Sequence, residues 1–167
     1  MYRITAVCTG NICRSPMAEF MIRHALDDAG VTDVDVDSAG TSDWETGNPV
    51  DPRAGKLLAA DGLDAGAHIA RRFTHESFAT TSLVLALDMD HYAELRRLAG
   101  NPADQAKVHM LRSFDPALSG LGPADQGIYD PWFGDAADFE LCRDMIRSAL
   151  PGLVEHVRKE TAEARGA

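Results

Sequence analysis

The sequence predicts an α/β fold, a single domain on an open, parallel, four-stranded sheet with helices on both faces. Three observations lead there. Short apolar runs alternate with longer segments of helical period, the order that crossover connections impose on a parallel sheet. Cap and turn residues stand at the junctions between these runs. The 167 residues, 45% apolar and 25% charged, suffice for one sizeable core.

The elements follow in order. Ile4–Cys8 is the first strand and Met17–Ala29 the first helix, with Ser15-Pro16 as its expected N-cap and first residue and Gly30 as its stop. Val34–Ser38 is the second strand. Asp51-Pro52 caps a second helix over Arg53–Ala60, and a shorter helix starts near Thr74. Leu83–Leu87 is the third strand, Asp90–Ala99 a helix that Gly100 stops, and Val108–Leu111 the fourth strand. Asp138–Lys159 is the last helix. Between the last two lies Asp115–Asp135, rich in Gly, Pro and Asp and carrying Tyr129, Trp132 and Phe133. A loop that long in a compact domain is more often functional than filler. No repeat, linker or low-complexity tract interrupts residues 1–167, which are expected to form one domain.

A formal charge of −10 argues against nucleic acid and against an anionic membrane surface as partners. It leaves room for a small anionic substrate, because a site can be locally positive on an acidic protein. Met-Tyr-Arg-Ile-Thr carries no charged-then-apolar signal pattern, and no run approaches the roughly 18 apolar residues of a membrane helix. Three cysteines is too few and too odd a count for a disulfide framework, so a reducing cytoplasm is the expected location, with export independent of a signal peptide left open.

Two of those cysteines fall in the turn between the first strand and first helix. Cys8 and Arg14 stand six apart, followed by Ser15, with Gly10 and Asn11 between them as residues able to accept positive φ. Successive amides curling ahead of a helix form an anion nest backed by the helix dipole. Arg14 adds a planar fork that matches two phosphate oxygens. A thiol in such surroundings ionises more readily than a free one, and Ser15 can donate to its sulfur. Spacing alone leaves an ordinary alternative: an inert core cysteine, a turn and a surface arginine. No Gly-x4-Gly-Lys-Ser/Thr, dinucleotide fingerprint, His-Glu-x-x-His or Cys-x-x-Cys occurs, so a metal reading has little support in the sequence.

Val7-Cys8-Thr9-Gly10-Asn11-Ile12-Cys13-Arg14-Ser15-Pro16 resembles the phosphate-binding loop of the low-molecular-weight protein tyrosine phosphatases. Asp37-Ser38-Ala39-Gly40-Thr41, Trp44 through Asp51-Pro52-Arg53, His68-Ile69-Ala70-Arg71 and Tyr129-Asp130-Pro131-Trp132-Phe133-Gly134 match in the same order. The resemblance implies hydrolysis of phosphotyrosine, and of small aryl phosphates, through a cysteinyl-phosphate, with no metal or cofactor. Cys8 would be the nucleophile, Arg14 the clamp, and Thr9 to Ser15 (Thr9, Gly10, Asn11, Ile12, Cys13, Arg14, Ser15) the oxygen-binding loop. Ser15 would also steady the leaving thiolate. Asn11 would be held strained by a network with Ser15, Ser38 and His68. Asp-Pro occurs three times; Asp51 is accounted for as a helix cap and Asp115 as a turn residue, and the family's Asp-Pro-aromatic-aromatic motif matches only at Asp130, which the resemblance therefore implies as the general acid. Trp44, Trp132 and Phe133 would wall a crevice that only a flat aryl phosphate penetrates. Where many relatives carry two tyrosines after the Asp-Pro, this chain has Trp132 and Phe133, so regulation by phosphorylating that pair is not expected.

Cys13, five residues along a curled loop, is expected to form a reversible disulfide with Cys8 and so intercept its sulfenic acid. The expected partner is a phosphotyrosine-bearing protein, acted on by a monomer. Three rival functions fit the sequence less well. Arsenate reduction on this scaffold needs relay cysteines just after the third strand, and residues 80 to 100 contain none. A silent phosphoprotein-binding module would lack the nucleophile or the acid. A phosphocarrier would have little use for Asp130.

Overall fold

Period-two alternation in the central strands sorts their side chains onto two faces. Along β1 (Tyr2–Cys8), Ile4, Ala6 and Cys8 join one apolar cluster, and Val7 joins another. Along β3 (Leu83–Ala86), Leu83 and Leu85 go with the first cluster, Val84 and Ala86 with the second. With β2 (Val34–Gly40) and β4 (Val108–Met110) these strands form an all-parallel sheet in the order β2-β1-β3-β4. The computed structural model describes residues 1–166; Ala167, the end of the expected domain, lies outside the described residues.

Helices cover both faces as the alternation requires. The first cluster packs under α1 (Arg14–Asp28), α2 (Pro52–Ala60) and the long α5 (Ala136–Gly166), burying Met17, Ile22, Leu58, Phe139, Ile146 and Leu153. The second packs under α3 (Met89–Ala99) and a 3-10 turn at His75–Ala79, with Phe73 and Phe78 edge-to-face at 5.0 Å. Strand order reverses between β1 and β3, the position where open parallel sheets leave a crevice beyond their carboxyl ends. The Cys8 loop opens into it.

Several boundaries differ from the sequence expectation. The first helix begins at Arg14 with Cys13 as its cap, not at Pro16 behind Ser15. The curled loop already gives Arg14 and Ser15 helical dihedrals, and Met17 N donates to Cys13 O at 3.1 Å. Pro16 therefore falls in the first turn, where its missing N–H has no intrahelical partner to lose. β2 runs on to Gly40, where a Cβ would press on Thr9 O at 2.5 Å, so only glycine lets the loop come this close. α3 starts at Met89 because the Asp88 side chain accepts from His91 N. A single turn, α4 (Pro102–Gln105), was not expected, although Asn101-Pro102 carries the same cap signal as Asp51-Pro52. The short helix near Thr74 is present in 3-10 form. The last helix passes through Pro151, and at Gly152 a side chain would collide with the carbonyl of Phe114. Asp51 caps α2 as read from the sequence, and Gly30 and Gly100 take positive φ at the helix ends.

Candidate active site

Asn11 carries the loop's positive φ. Its φ is 61°, a conformation costly to a residue with a Cβ, and it is fully buried. The side chain is satisfied on every side: Nδ2 donates to Ser15 Oγ and to Ser38 Oγ, both at 2.9 Å, and Oδ1 accepts from Arg71 N at 3.0 Å. His68 Nε2 donates to Asn11 O at 2.7 Å. The structure thus brings Asn11, Ser15, Ser38 and His68 into one cluster.

That cluster aims the loop at Cys8. Asn11 N donates to Cys8 Sγ at 3.3 Å, and Ser15 Oγ is hydrogen-bonded to the same sulfur at 3.0 Å. Cys8 lies at the floor of a cavity of about 290 Å³. Gly10, Ile12, Cys13 and Arg14 join the floor, while Trp44, Glu45, Asp130, Trp132 and Phe133 form the sides and mouth. Trp44 and Phe133 stand out at the rim, 79% and 97% exposed, and Trp132 is the more inset ring at 38%. Phe133 therefore edges the mouth more than it walls the crevice.

Arg14 is buried, and three acceptors hold its guanidinium: Asp88 Oδ2 at 2.7 Å, Asp130 Oδ2 at 3.2 Å and Ile128 O at 3.2 Å. Asp130 faces the cavity on the long loop; Asp51 and Asp115 do not. Asp51 is engaged with Arg53, and Asp115 with Arg112, Ser148 and Ala117 N. Burial pushes the Cys13 thiol far above its ordinary range, with Asp51 and Cys8 adding to the effect, and burial pushes Cys142 up to about 12. Among the described residues no group of three His, Cys, Asp or Glu side chains gathers as a metal site, and no helix is long and apolar enough to cross a membrane.

Three supporting residues escaped the sequence reading. Glu19 accepts from Ser38 Oγ at 2.6 Å and lies 3.8 Å from His68 Nδ1. Burial alone would raise its carboxyl, but His68, Ser38 and Arg23 outweigh it and hold it below the usual range. Asp88 pairs with Arg14, and His91 Nε2 is hydrogen-bonded to Thr9 Oγ1 at 2.8 Å. Burial pushes His91 down to about 4 despite Asp88 beside it, so the ring is neutral at pH 7. Asp88 had a usable signal, since it follows a strand whose carboxyl end faces the crevice. Glu19 and His91 read as ordinary helix residues.

A thiol under an amide-lined, arginine-bearing loop, facing a carboxylate across the end of a parallel sheet, defines the thiol-dependent phosphatase class. The chain belongs to the low molecular weight phosphotyrosine protein phosphatase family, whose model matches residues 3–163. It is 46% identical over 167 residues to the low molecular weight protein-tyrosine-phosphatase of Streptomyces coelicolor, covering 99% of each chain. A protein tyrosine phosphatase structure from Entamoeba histolytica matches with a TM-score of 0.86 at 25% identity, over 96% of this chain and 99% of that one. The drosophila arginine phosphatase DARP matches with a TM-score of 0.82 at 28% identity, over 92% and 96%.

Proposed function

We propose that this protein hydrolyses phosphotyrosine in protein substrates in two steps through Cys8, with Arg14 as clamp and Asp130 as acid and then base. The observation that carries the reading is the double hydrogen bond to Cys8 Sγ at the floor of a cavity that also holds Arg14 and Asp130. In the first step the Cys8 thiolate attacks phosphorus, and the bond to the tyrosine oxygen breaks. Loop amides and Arg14 hold the three equatorial oxygens, whose charge is the main object of phosphoryl-transfer catalysis. Asp130 gives its proton to the departing phenolate. In the second step Asp130 takes a proton from water, the oxygen attacks the cysteinyl-phosphate, and inorganic phosphate leaves. Ser15 donates to the sulfur as it departs as thiolate.

The aromatic rim of Trp44 and Trp132 favours a flat ring on a long stem, so an aryl ester reaches the sulfur where a phosphoserine falls short. Cys13, protonated and packed beside the nucleophile, serves as its redox partner. The protein works as a cytoplasmic monomer, consistent with three free cysteines. The test is release of phosphate from a phosphotyrosine peptide by the wild type and by Cys8→Ser. Activity abolished by the substitution, with phosphate still bound, is the expected result. Equal or greater turnover of an arginine-phosphorylated peptide, the substrate class suggested by the drosophila relative, would reassign the substrate.

A further inference from the structure

We propose that Arg53 is the positioning residue that latches the Asp130 loop to the body of the protein, an inference that rests on the reading of Asp130 as the acid. Arg53 is the second residue of α2, and two of its donors are spent on the helix cap: Nε to Asp51 Oδ1 at 3.0 Å and Nη2 to Asp51 Oδ2 at 2.9 Å. This fork fixes the plane of the guanidinium and leaves Nη1 pointing away from the helix. Nη1 donates to Trp132 O at 3.1 Å. The flat cation also lies 4.6 Å from the Phe139 ring centroid on α5 and 5.5 Å from that of Trp132. One side chain therefore joins α2, α5 and the loop.

The contact leads directly to the carboxyl. Trp132 N donates to Asp130 Oδ1 at 3.1 Å, and Asp130 Oδ2 accepts from Arg14 at 3.2 Å. On the other side, Asp51 N donates to Ile12 O at 2.8 Å, so the same cap touches the phosphate-binding loop. The Asp51–Arg53 pair is a pin between the loop that holds phosphate and the loop that carries the acid. The acid loop needs one. Between Asp125 and Ala136 it has no regular structure, and Tyr129, Trp132 and Phe133 are all exposed. Arg53 is itself partly exposed but Asp51 is buried, so removing Arg53 also costs stability by leaving that carboxylate its bond to Arg53 N but no cation, a cost that Arg53→Lys limits by keeping the charge.

A loosened acid has a specific kinetic signature. Protonation matters most for a poor leaving group, so the loss must grow with the pKa of the phenol. The experiment measures kcat/KM, which covers the steps up to departure of the phenol, for Arg53→Met and Arg53→Lys against the wild type. Substrates are aryl phosphates whose phenols run from nitrophenol to tyrosine, and inhibition by inorganic phosphate is followed in parallel. Arg53→Met is expected to lose about tenfold on phosphotyrosine, the size of one lost contact carried into the barrier, and about twofold or less on the nitrophenyl ester. Phosphate inhibition stays within about twofold. Arg53→Lys keeps the charge but not the flat fork, and loses activity with the same leaving-group trend. It carries the test if the methionine variant does not fold. A loss equal across the series, or no loss, overturns the latch. Asp130→Asn separates the two readings: if it steepens the leaving-group dependence and the Arg53 variants do not, only the latch falls. If Asp130→Asn leaves that dependence unchanged, the acid reading falls and the latch with it. In the double variant, Arg53→Met must add no further loss to Asp130→Asn; an additive loss also overturns the proposal.

Discussion

Replacing Asn11 by glycine and by alanine should invert the usual order of those two residues. Either change removes three hydrogen bonds, two buried and one part-buried, those to Ser15, Ser38 and Arg71 N. At about 1 kcal/mol each, the expected loss is about 3 kcal/mol. Alanine must then also sit at φ 61°. That conformation costs a residue with a Cβ about 1–2 kcal/mol, of which alanine recovers about 0.4–1 through its smaller unfolded-state entropy. The alanine variant should therefore be less stable than the glycine variant by about 1 kcal/mol, although alanine is the better residue almost everywhere else. Urea denaturation of the three proteins, compared at equal m-values, measures both quantities. An alanine variant as stable as the glycine one would mean that the left-handed backbone is not what Asn11 is there to hold. A loss under 1 kcal/mol in both would remove the network from the stability of the loop.

Asp130→Asn should lower kcat/KM on phosphotyrosine by about 10²–10⁴, less for more acidic phenols, while Asp115→Asn, engaged with Arg112 and Ser148, changes stability and not this profile. Rates over the same aryl phosphate series decide it. At neutral pH iodoacetamide should modify neither Cys13 nor Cys142, since burial keeps both thiols protonated; labelling at Cys13 ahead of Cys8 in a peptide map would contradict this. After peroxide and then a thiol reductant, Cys13→Ser should recover less activity than the wild type, and equal recovery would end its protective role. His91 binds its proton near pH 4 when folded and near 6.5 when unfolded. The unfolded chain therefore holds the extra proton in that window, so stability falls as pH drops from about 6.5 to 4, by up to about 3 kcal/mol. His91→Gln should flatten that part of the stability profile, and an unchanged slope would show that the ring is not buried as a neutral group.

The sequence by itself determined the sheet, its parallel sense, the number of strands and the residues that make up the first loop. Those depend on local periodicity, on cap residues such as Asp51 and on a ten-residue motif, all of which are contiguous in the chain. It also pointed to Asp130, through the resemblance of its Asp-Pro and the two aromatic residues that follow to the family's motif. Tertiary structure decided the rest. Glu19, Asp88 and His91 look like ordinary helix and cap residues until folding sets them against Ser38, Arg14 and Thr9, respectively 19, 74 and 82 positions away. Arg53 looks like a surface cation at a helix start until Trp132, 79 positions on, arrives at its free nitrogen. The start of α1 differs from its local signal for the same reason: Pro16 marks a helix start, but the turn that closes around Cys8 sets the helical path two residues earlier. A short-range pattern fixes what a segment can become. Which of its polar groups end up buried, and against what partner, follows only from how the strands order themselves and where their carboxyl ends converge.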